Sequence, residues 1–406
     1  MCCGHRGASS GAPPFLPYGR QSIDEADLRA VADALRGDFL TTGPLVDRFE
    51  RAFAEKVGAA EAVACGNGSH ALHLAYKAAG LQPGDVVVVP AVTFVATASS
   101  AAYEGAQIVF ADVDPVSGLM TPDTLAEALR RVEGRRVRIV APVHLAGAPC
   151  DLANISSLAE RVGAAVIEDA CHAAGTVAPE GVTGDCARSL MACFSFHPVK
   201  TLTTCEGGMV TTNDRALAER MRRLRTQGIT READDFLLDD DAFDGGEANP
   251  WWHEQHDLGF NYRLSDVQCA LGLSQLSRLD AFVARRAHLV ALYREALAPL
   301  APLVTVAPYA GRPAWHLMQV RIDFEAAGLS RREVMGGLKA RGVGTQVHYI
   351  PVHRQPYWRA RNGELTLPGA DAFYARTLSL PLFPAMADDD PVRVVDALKA
   401  VLGARP

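Results

Sequence analysis

Lys200 stands between an apolar run and a polar loop ending in glycines: Cys193-Phe194-Ser195-Phe196-His197-Pro198-Val199-Lys200, then Thr201-Leu202-Thr203-Thr204-Cys205-Glu206-Gly207-Gly208. An amine that is partly buried beside a cationic ring has a lowered pKa, and the neutral amine is the form that makes an imine. Two earlier stretches carry complementary chemistry. Gly66-Asn67-Gly68-Ser69 lies between a strand-like and a helix-like run. Its glycines allow close backbone approach, the helix start offers N–H groups and a positive dipole end to a phosphate, and Ser69 adds a hydroxyl. Val166-Ile167-Glu168-Asp169-Ala170-Cys171-His172 ends an apolar run in two carboxylates, at the strand end where parallel sheets bind ligands. An Asp there suits a protonated pyridine nitrogen, since the pairing keeps such a ring able to accept electrons. Singly, each stretch has an ordinary explanation: a snorkelling lysine, a capped strand-to-helix turn, a strand-end Asp capping the next turn. Their order along the chain, phosphate loop then acid then lysine, lifts the three together above those explanations.

The elements that must position these groups can be read from periodicity. The 406 residues allow two or three domains, and 49% apolar content allows a large core. Short apolar runs at 62–65, 86–89, 108–113, 137–143 and 165–168 alternate with helical patterns, and further strands are expected at 192–196 and 208–212. Near-continuous Val, Ile and Ala suits strands buried on both faces, so the expected class is α/β with a mostly parallel sheet. Ser22-Ile23-Asp24-Glu25 reads as a capping box for a first helix, and Thr121-Pro122 as another helix start. From Asp266 one long helix is expected through Leu276, Leu279 and Phe282 toward Leu297. Strands at 317–324 and 344–349 and helices near 331–341 and 392–402 follow, giving a smaller C-terminal α+β domain. The expected divisions are a loose tail over 1–16, a large domain over 17–265 and a small one over 266–406. The acidic stretch 231–249 reads as a solvated surface loop without metal-ligand spacing.

Several function classes fall away. A net charge of −7 gives no basic stripe for nucleic acid. No apolar run approaches the ~20 residues that span a bilayer. The nine cysteines are odd in number and show no CxxC pair, which suits a reducing cytoplasm and no metal site.

The chain resembles the DegT/DnrJ/StrS sugar aminotransferases from about residue 17 to 402. The matching stretches are Gly-Asp-Phe-Leu-Thr-Thr-Gly-Pro (37–44), Pro-Ala-Val-Thr-Phe-Val-Ala-Thr-Ala (90–98), Pro-Val-His-Leu-Ala-Gly (142–147), Glu-Asp-Ala-Cys-His-Ala (168–173), Phe-Ser-Phe-His-Pro-Val-Lys (194–200) and Leu-Gly-Phe-Asn-Tyr-Arg (258–263). Within the family it is similar to the branch that makes UDP-4-amino-4,6-dideoxy-N-acetyl-β-L-altrosamine from a UDP-4-keto sugar, on the route to pseudaminic acid. The branch-like features are Gln21-Ser22-Ile23-Asp24-Glu25, His197-Pro198-Val199-Lys200, Gln227-Gly228-Ile229-Thr230-Arg231, Pro250-Trp251-Trp252 and His348-Tyr349-Ile350-Pro351-Val352-His353.

The resemblance implies the aspartate-aminotransferase-like fold of type I pyridoxal-phosphate enzymes, with pyridoxal 5′-phosphate as cofactor. It implies that Lys200 carries the cofactor and then moves protons between the substrate carbon and the cofactor C4′ carbon. Asp169 is expected on the pyridine nitrogen, Phe94 on the ring face, and Gly68, Ser69 and Ser195 on the phosphate. His172 is expected beside the cofactor, where relatives carry Gln or His. Asn261 is expected to reach the phosphate from the partner subunit of a homodimer. Thr42, His316, His348 and Tyr349 fall to the sugar-nucleotide side, and each histidine there also has a structural explanation as a hydrogen-bonded core residue. The implied substrates are L-glutamate and a nucleotide-linked keto sugar. Relatives more often have Asn-Ser-Gly-Thr-Ala or Ser-Asn-Gly-Thr-Ala where this chain has Gly66-Asn67-Gly68-Ser69-His70; Ser keeps the hydroxyl, and His70 adds a donor or replaces a small residue. Cys171 stands where Ala is common and Cys205 where Gly is common. Competing readings are an aminotransferase for another keto sugar or keto-cyclitol, a non-catalytic regulatory protein on this scaffold, and a nicotinamide-dependent oxidoreductase. The intact Lys200 and Asp169 disfavour the second, and the missing GxGxxG disfavours the third.

Overall fold

The computed structural model describes residues 14–403; residues 1–13 of the expected tail lie outside the described residues. The packed chain reaches back to Leu16, whose backbone bridges Val343 and whose side chain is buried.

Helices α1 (Glu25–Arg36) and α2 (Pro44–Val57) precede the sheet. The α1 capping box sits two residues later than expected. Asp24 accepts from the N–H groups of Ala26 and Asp27, and the Asp27 carboxylate accepts from the Asp24 N–H. The Ser22 carbonyl is instead taken by Gln275, and Arg278 pairs with both aspartates. The acids are therefore held by a second element as well as by their own helix.

Seven strands form the central sheet: β1 (Glu61–Cys65), β2 (Val86–Pro90), β3 (Gln107–Ala111), β4 (Val137–Val140), β5 (Ala165–Asp169), β6 (Met191–Ser195) and β7 (Gly208–Thr212). Their order is β1-β7-β6-β5-β4-β2-β3. Only β7 runs against the rest, paired antiparallel to both neighbours. Helices α3 (Gly68–Ala78), α4 (Ala96–Tyr103), α5 (Pro122–Arg130), α6 (Leu152–Arg161) and α7 (Arg215–Leu224) cover it. The period-2 rule is visible along β2. Val87 and Val89 join one core with α3 and α4, while Val86 and Val88 join the opposite one with α5 and α6. Thr121 caps α5 as expected, with Pro122 at its first position.

The acidic stretch carries the short helix α8 (Asp239–Ala242) and a two-residue hairpin, and its side chains are mostly exposed. The long helix expected from Asp266 is two helices, α9 (Asp266–Leu276) and α10 (Leu279–Leu297), broken at Ser277 and Arg278. The break lets α9 pack into the large-domain core, with Cys269 and Leu276, while Leu289, Val290 and Tyr293 of α10 enter the smaller one. The smaller core also holds an antiparallel sheet of β8 (Val304–Thr305), β9 (Met318–Ile322) and β10 (Thr377–Leu380). Helix α11 (Arg331–Ala340) packs there. Residues 344–349 are not a strand; Gln346 alone bridges Ser379. Helices α12 (Pro356–Asn362) and α13 (Pro368–Arg376) send Trp358 and Phe373 back into the large-domain core, and α14 (Asp390–Leu402) closes the small one. The cores therefore do not divide at residue 265: Leu16 joins the small core, while α9, α12 and α13 return to the large one. Apolar residues go where burial is available, whatever their place in the chain.

Candidate active site

The carboxyl ends of β1, β5 and β6 open onto one cavity of about 430 Å³, within the usual range for small-molecule sites, about 300–1,000 Å³. Gly68, Ser69, Asp169, His172, Ser195, Lys200, Phe94, His316, His348 and Tyr349 all line it.

The α3 end is built by its cap. Asn67 accepts the His70 N–H at 2.9 Å, so the N–H groups of Gly68 and Ser69 are left without a partner inside the helix. A side chain at Gly68 would fill the same space, because its Cβ would lie 2.8 Å from Ser195 Cβ and 3.1 Å from Cys171 Sγ. The close approach of α3 to the end of β6 thus depends on glycine. Gly68→Ala is expected to lower stability by about 1–3 kcal/mol through overpacking. It should also weaken phosphate retention, as read by thermal unfolding and by release of the cofactor on dialysis. Unchanged values in both would remove this account of Gly68.

Asp169, buried at the end of β5, has both oxygens oriented. Thr97 Oγ1 donates to one at 2.6 Å, and the Cys171 N–H to the other at 3.1 Å. Thr93 backs Thr97 with a 2.7 Å hydroxyl contact, so the first turn of α4 aims the carboxylate. Phe94, three residues before Thr97, is left 55% exposed and faces the same cavity. The Lys200 N–H closes a turn onto the His197 carbonyl at 2.9 Å. Burial lowers the Lys200 pKa, while Cys171 and Asp169 push it the other way.

The remaining wall is aromatic and polar. His172 Nε2 lies 3.0 Å from Tyr349 Oη, and the Ala146 N–H donates to His172 Nδ1 at 3.2 Å. His316 packs against His172 with ring centroids 4.3 Å apart, and its buried Nδ1 has no partner. His348 Nδ1 meets Ser379 Oγ at 2.8 Å. Burial, reinforced by Lys200, holds His172 well below the usual imidazole range and His348 down to about 3. Burial and the neighbouring His172 do the same to His316.

These residues fit a phosphorylated pyridine aldehyde. A helix start with free N–H groups suits an anion, the oriented carboxylate suits a cation, and an amine with a lowered pKa suits a carbonyl carbon. The orphaned His316 Nδ1 leaves a polar position for a further ligand atom. Thr42 and Asn261 do not line the cavity and are exposed. Phe260 and Tyr262 turn inward to stack on one another and, through Tyr262, on His70, so alternation leaves Asn261 outward. Sequence reasoning missed Tyr18, Thr93 and Glu206, which line the cavity, and Thr97, which reaches it through Asp169. Thr93 and Thr97 sit in the quoted 90–98 stretch at an i, i+4 spacing, the one available signal. Tyr18 arrives from a distant segment and left none.

The family model described as "DegT/DnrJ/EryC1/StrS aminotransferase family" matches residues 21–399. Among solved structures, the aminotransferase TlmJ from Streptoalloteichus hindustanus is 30% identical with a TM-score of 0.85, over 96% of this chain and 99% of that one. DesI, solved in the presence of its TDP-sugar product, is 33% identical with a TM-score of 0.83, over 98% and 96%. Helicobacter pylori PseC, an aminotransferase of pseudaminic acid biosynthesis, has the same fold at 24% identity and a TM-score of 0.83, over 96% and 100%. Among the described residues no helix is long and apolar enough to cross a membrane. The chain belongs to the DegT/DnrJ/EryC1/StrS aminotransferase family and is a pyridoxal-phosphate-dependent sugar aminotransferase.

Proposed function

We propose that the enzyme moves the amino group of L-glutamate to the C4 keto carbon of a UDP-linked 4-keto-6-deoxy-N-acetyl sugar, in a pathway of the pseudaminic acid type. The observation that carries the chemistry is the convergence of Lys200, Asp169 and the α3 start on one cavity. The sugar assignment rests on the branch-like stretches, above all Pro250-Trp251-Trp252 and 348–353.

The cofactor, when bound, supplies a carbonyl carbon that takes up the amine and a ring that accepts an electron pair. The rest falls to the chain. Lys200 would hold that carbon and, with its amine free, would move the proton at the substrate carbon. Asp169 keeps the ring nitrogen protonated. Gly68 and Ser69 N–H groups, with the Ser69 and Ser195 hydroxyls, hold the phosphate, and Phe94 covers the ring. His172 lies beside the cofactor, and His316, His348 and Tyr349 face the substrate. Thr42 and Asn261, exposed and outside their own cavity, serve through a homodimer, with Asn261 reaching the phosphate of the partner's site. An enzyme working on nucleotide-sugar pools acts in the cytoplasm.

A second reading is a different nucleotide, favoured by the 33% identity to DesI, which was solved with a TDP sugar. The test is absorbance. L-Glutamate alone should discharge the yellow colour of the purified holoenzyme with release of 2-oxoglutarate, and the decoloured form should regain it with a UDP-4-keto-N-acetyl sugar. Recovery with TDP-linked sugars alone selects the second reading, and a colour indifferent to glutamate removes the donor. Steady-state kinetics should give the parallel lines of a ping-pong scheme.

A further inference from the structure

On the wall formed by His172 and Tyr349, the backbone sets the direction of every hydrogen bond. Ala146 is held in the left-handed region at φ 60°, and its carbonyl accepts the His316 N–H at 2.9 Å. Its own N–H points at His172 Nδ1, 3.2 Å away. A peptide N–H can only donate, so Nδ1 is the lone-pair nitrogen and a neutral ring carries its hydrogen on Nε2. Burial beside Lys200 keeps the ring neutral. Nε2–H therefore donates to Tyr349 Oη across 3.0 Å. The phenol accepts that bond and keeps its own proton, for which no acceptor is found among the described residues. Phe94 lies against the Tyr349 ring at 5.9 Å and His348 packs edge-on at 5.0 Å, so the ring is held from two sides on the cavity wall.

We propose that Tyr349 is a catalytic residue: its hydroxyl is a fixed hydrogen-bond donor to the oxygen borne by the reacting carbon, aimed by His172 and the Ala146 peptide. The proposal rests on the aminotransferase reading above and adds the group that meets the oxygen. Exchange at that carbon breaks the C=O bond and forms a C=N bond. The oxygen leaves as water with both hydrogens supplied by the incoming amine, so no proton is taken from Tyr349 overall. Negative charge grows on the oxygen as the amine attacks, and a preorganised donor stabilises it. The nearest groups are committed elsewhere: His172 spends its one N–H on Tyr349, Asp169 only accepts, and the Lys200 amine is given to proton transfer at carbon. Burial pushes the Tyr349 phenol far above its ordinary pKa, which suits a donor that holds its proton rather than an acid that gives it up. His172 is thus a positioning residue. A neutral imidazole presents one acceptor and one donor, as a carboxamide does.

One half-reaction is the chemical reverse of the other, so the oxygen departs from one substrate and arrives on the other's carbon at the same place. Tyr349→Phe in the holoenzyme should therefore slow both half-reactions by ~10²-fold, the loss typical of one such donor. KM for each substrate should move by no more than a few-fold, and the yellow colour and cofactor retention should stay. His172→Leu should reproduce that loss, and His172→Gln should recover much of it, which a merely structural role for position 172 does not predict. Slowing confined to the sugar half-reaction makes Tyr349 a sugar contact and overturns the proposal, as does no slowing at all. A wild-type enzyme left yellow by glutamate tells against L-glutamate as the donor instead. A readout free of turnover is the ¹⁵N spectrum of the cofactor-free protein at neutral pH, with His172 assigned by its loss in His172→Gln. The expected form is neutral with hydrogen on Nε2; hydrogen on Nδ1, or an imidazolium, overturns the proposal.

Discussion

Lys200→Ala is expected to lose turnover by ~10⁴-fold or more, because in the proposed reaction one substitution removes both the covalent tether and the proton carrier. The lysine is fitted for both tasks by its surroundings. Its backbone turn onto His197 brings the side chain off the end of β6 into the cavity, and burial lowers its pKa so that more of the amine is neutral at a given pH. The protein should nevertheless remain folded. Removing a half-buried cation that has no hydrogen-bonded carboxylate among the described residues relieves desolvation, which offsets the lost methylene contacts. Lys200→Arg separates charge from chemistry: it keeps the cation, but a guanidinium is never deprotonated in a protein and cannot form the tether. Both variants should be colourless or retain only loosely held cofactor, with the far-ultraviolet circular dichroism of wild type. Near-normal turnover in either would sink the assignment of Lys200.

The parts of this site that were legible in the sequence are those whose chemistry is local. Gly68, Ser69, Asp169 and Lys200 each sit at a strand end, where a few neighbours declare both the element and the exposed group, and the structure brings all four to one cavity. Strands whose two faces are both buried were equally plain, as along β2. What the sequence concealed depends on pairing at a distance. The direction of β7 is set by its neighbours β1 and β6, and nothing in Gly-Met-Val-Thr-Thr distinguishes parallel from antiparallel. The continuous pattern from Asp266 to Leu297 hid the break at Ser277, because both halves are apolar toward different cores. The α1 cap was misplaced for a similar reason: Arg278 and Gln275, some 250 residues on, satisfy Asp24, Asp27 and the Ser22 carbonyl. Thr97 reads as one more small residue in an alanine-rich helix, and only the fold brings its hydroxyl to 2.6 Å from Asp169.

Asp169→Asn is expected to reduce turnover by ~10²–10⁴-fold with little change in fold, the range spanned by losing a group that controls proton affinity in the reacting system. The substitution conserves shape, so any large effect reports charge. Asp169 accepts from Thr97 Oγ1 and from the Cys171 N–H. Asn can keep the second bond with its carbonyl oxygen. Its NH2 then faces the Thr97 hydroxyl, which can accept instead and turn its own proton to the Phe94 carbonyl, already 3.2 Å away. No buried donor need be stranded, and the stability cost should stay near 1 kcal/mol. In the role proposed for Asp169, however, a neutral amide would no longer hold a proton on the cofactor's ring nitrogen. An opposite charge in close contact shifts such a pKa by about 1–3 units, so without the carboxylate the ring would accept electrons less readily. The signature is a fall in kcat for both half-reactions, with cofactor still bound and a larger deuterium isotope effect when the substrate C–H is labelled. Asp169→Glu supplies the complementary case, since it restores charge but moves the carboxylate by a methylene out of the Thr97 and Cys171 bonds. If Asn were as active as Asp while Glu were dead, Asp169 would be acting through its hydrogen-bonded shape alone, and its assignment to the ring nitrogen would be wrong.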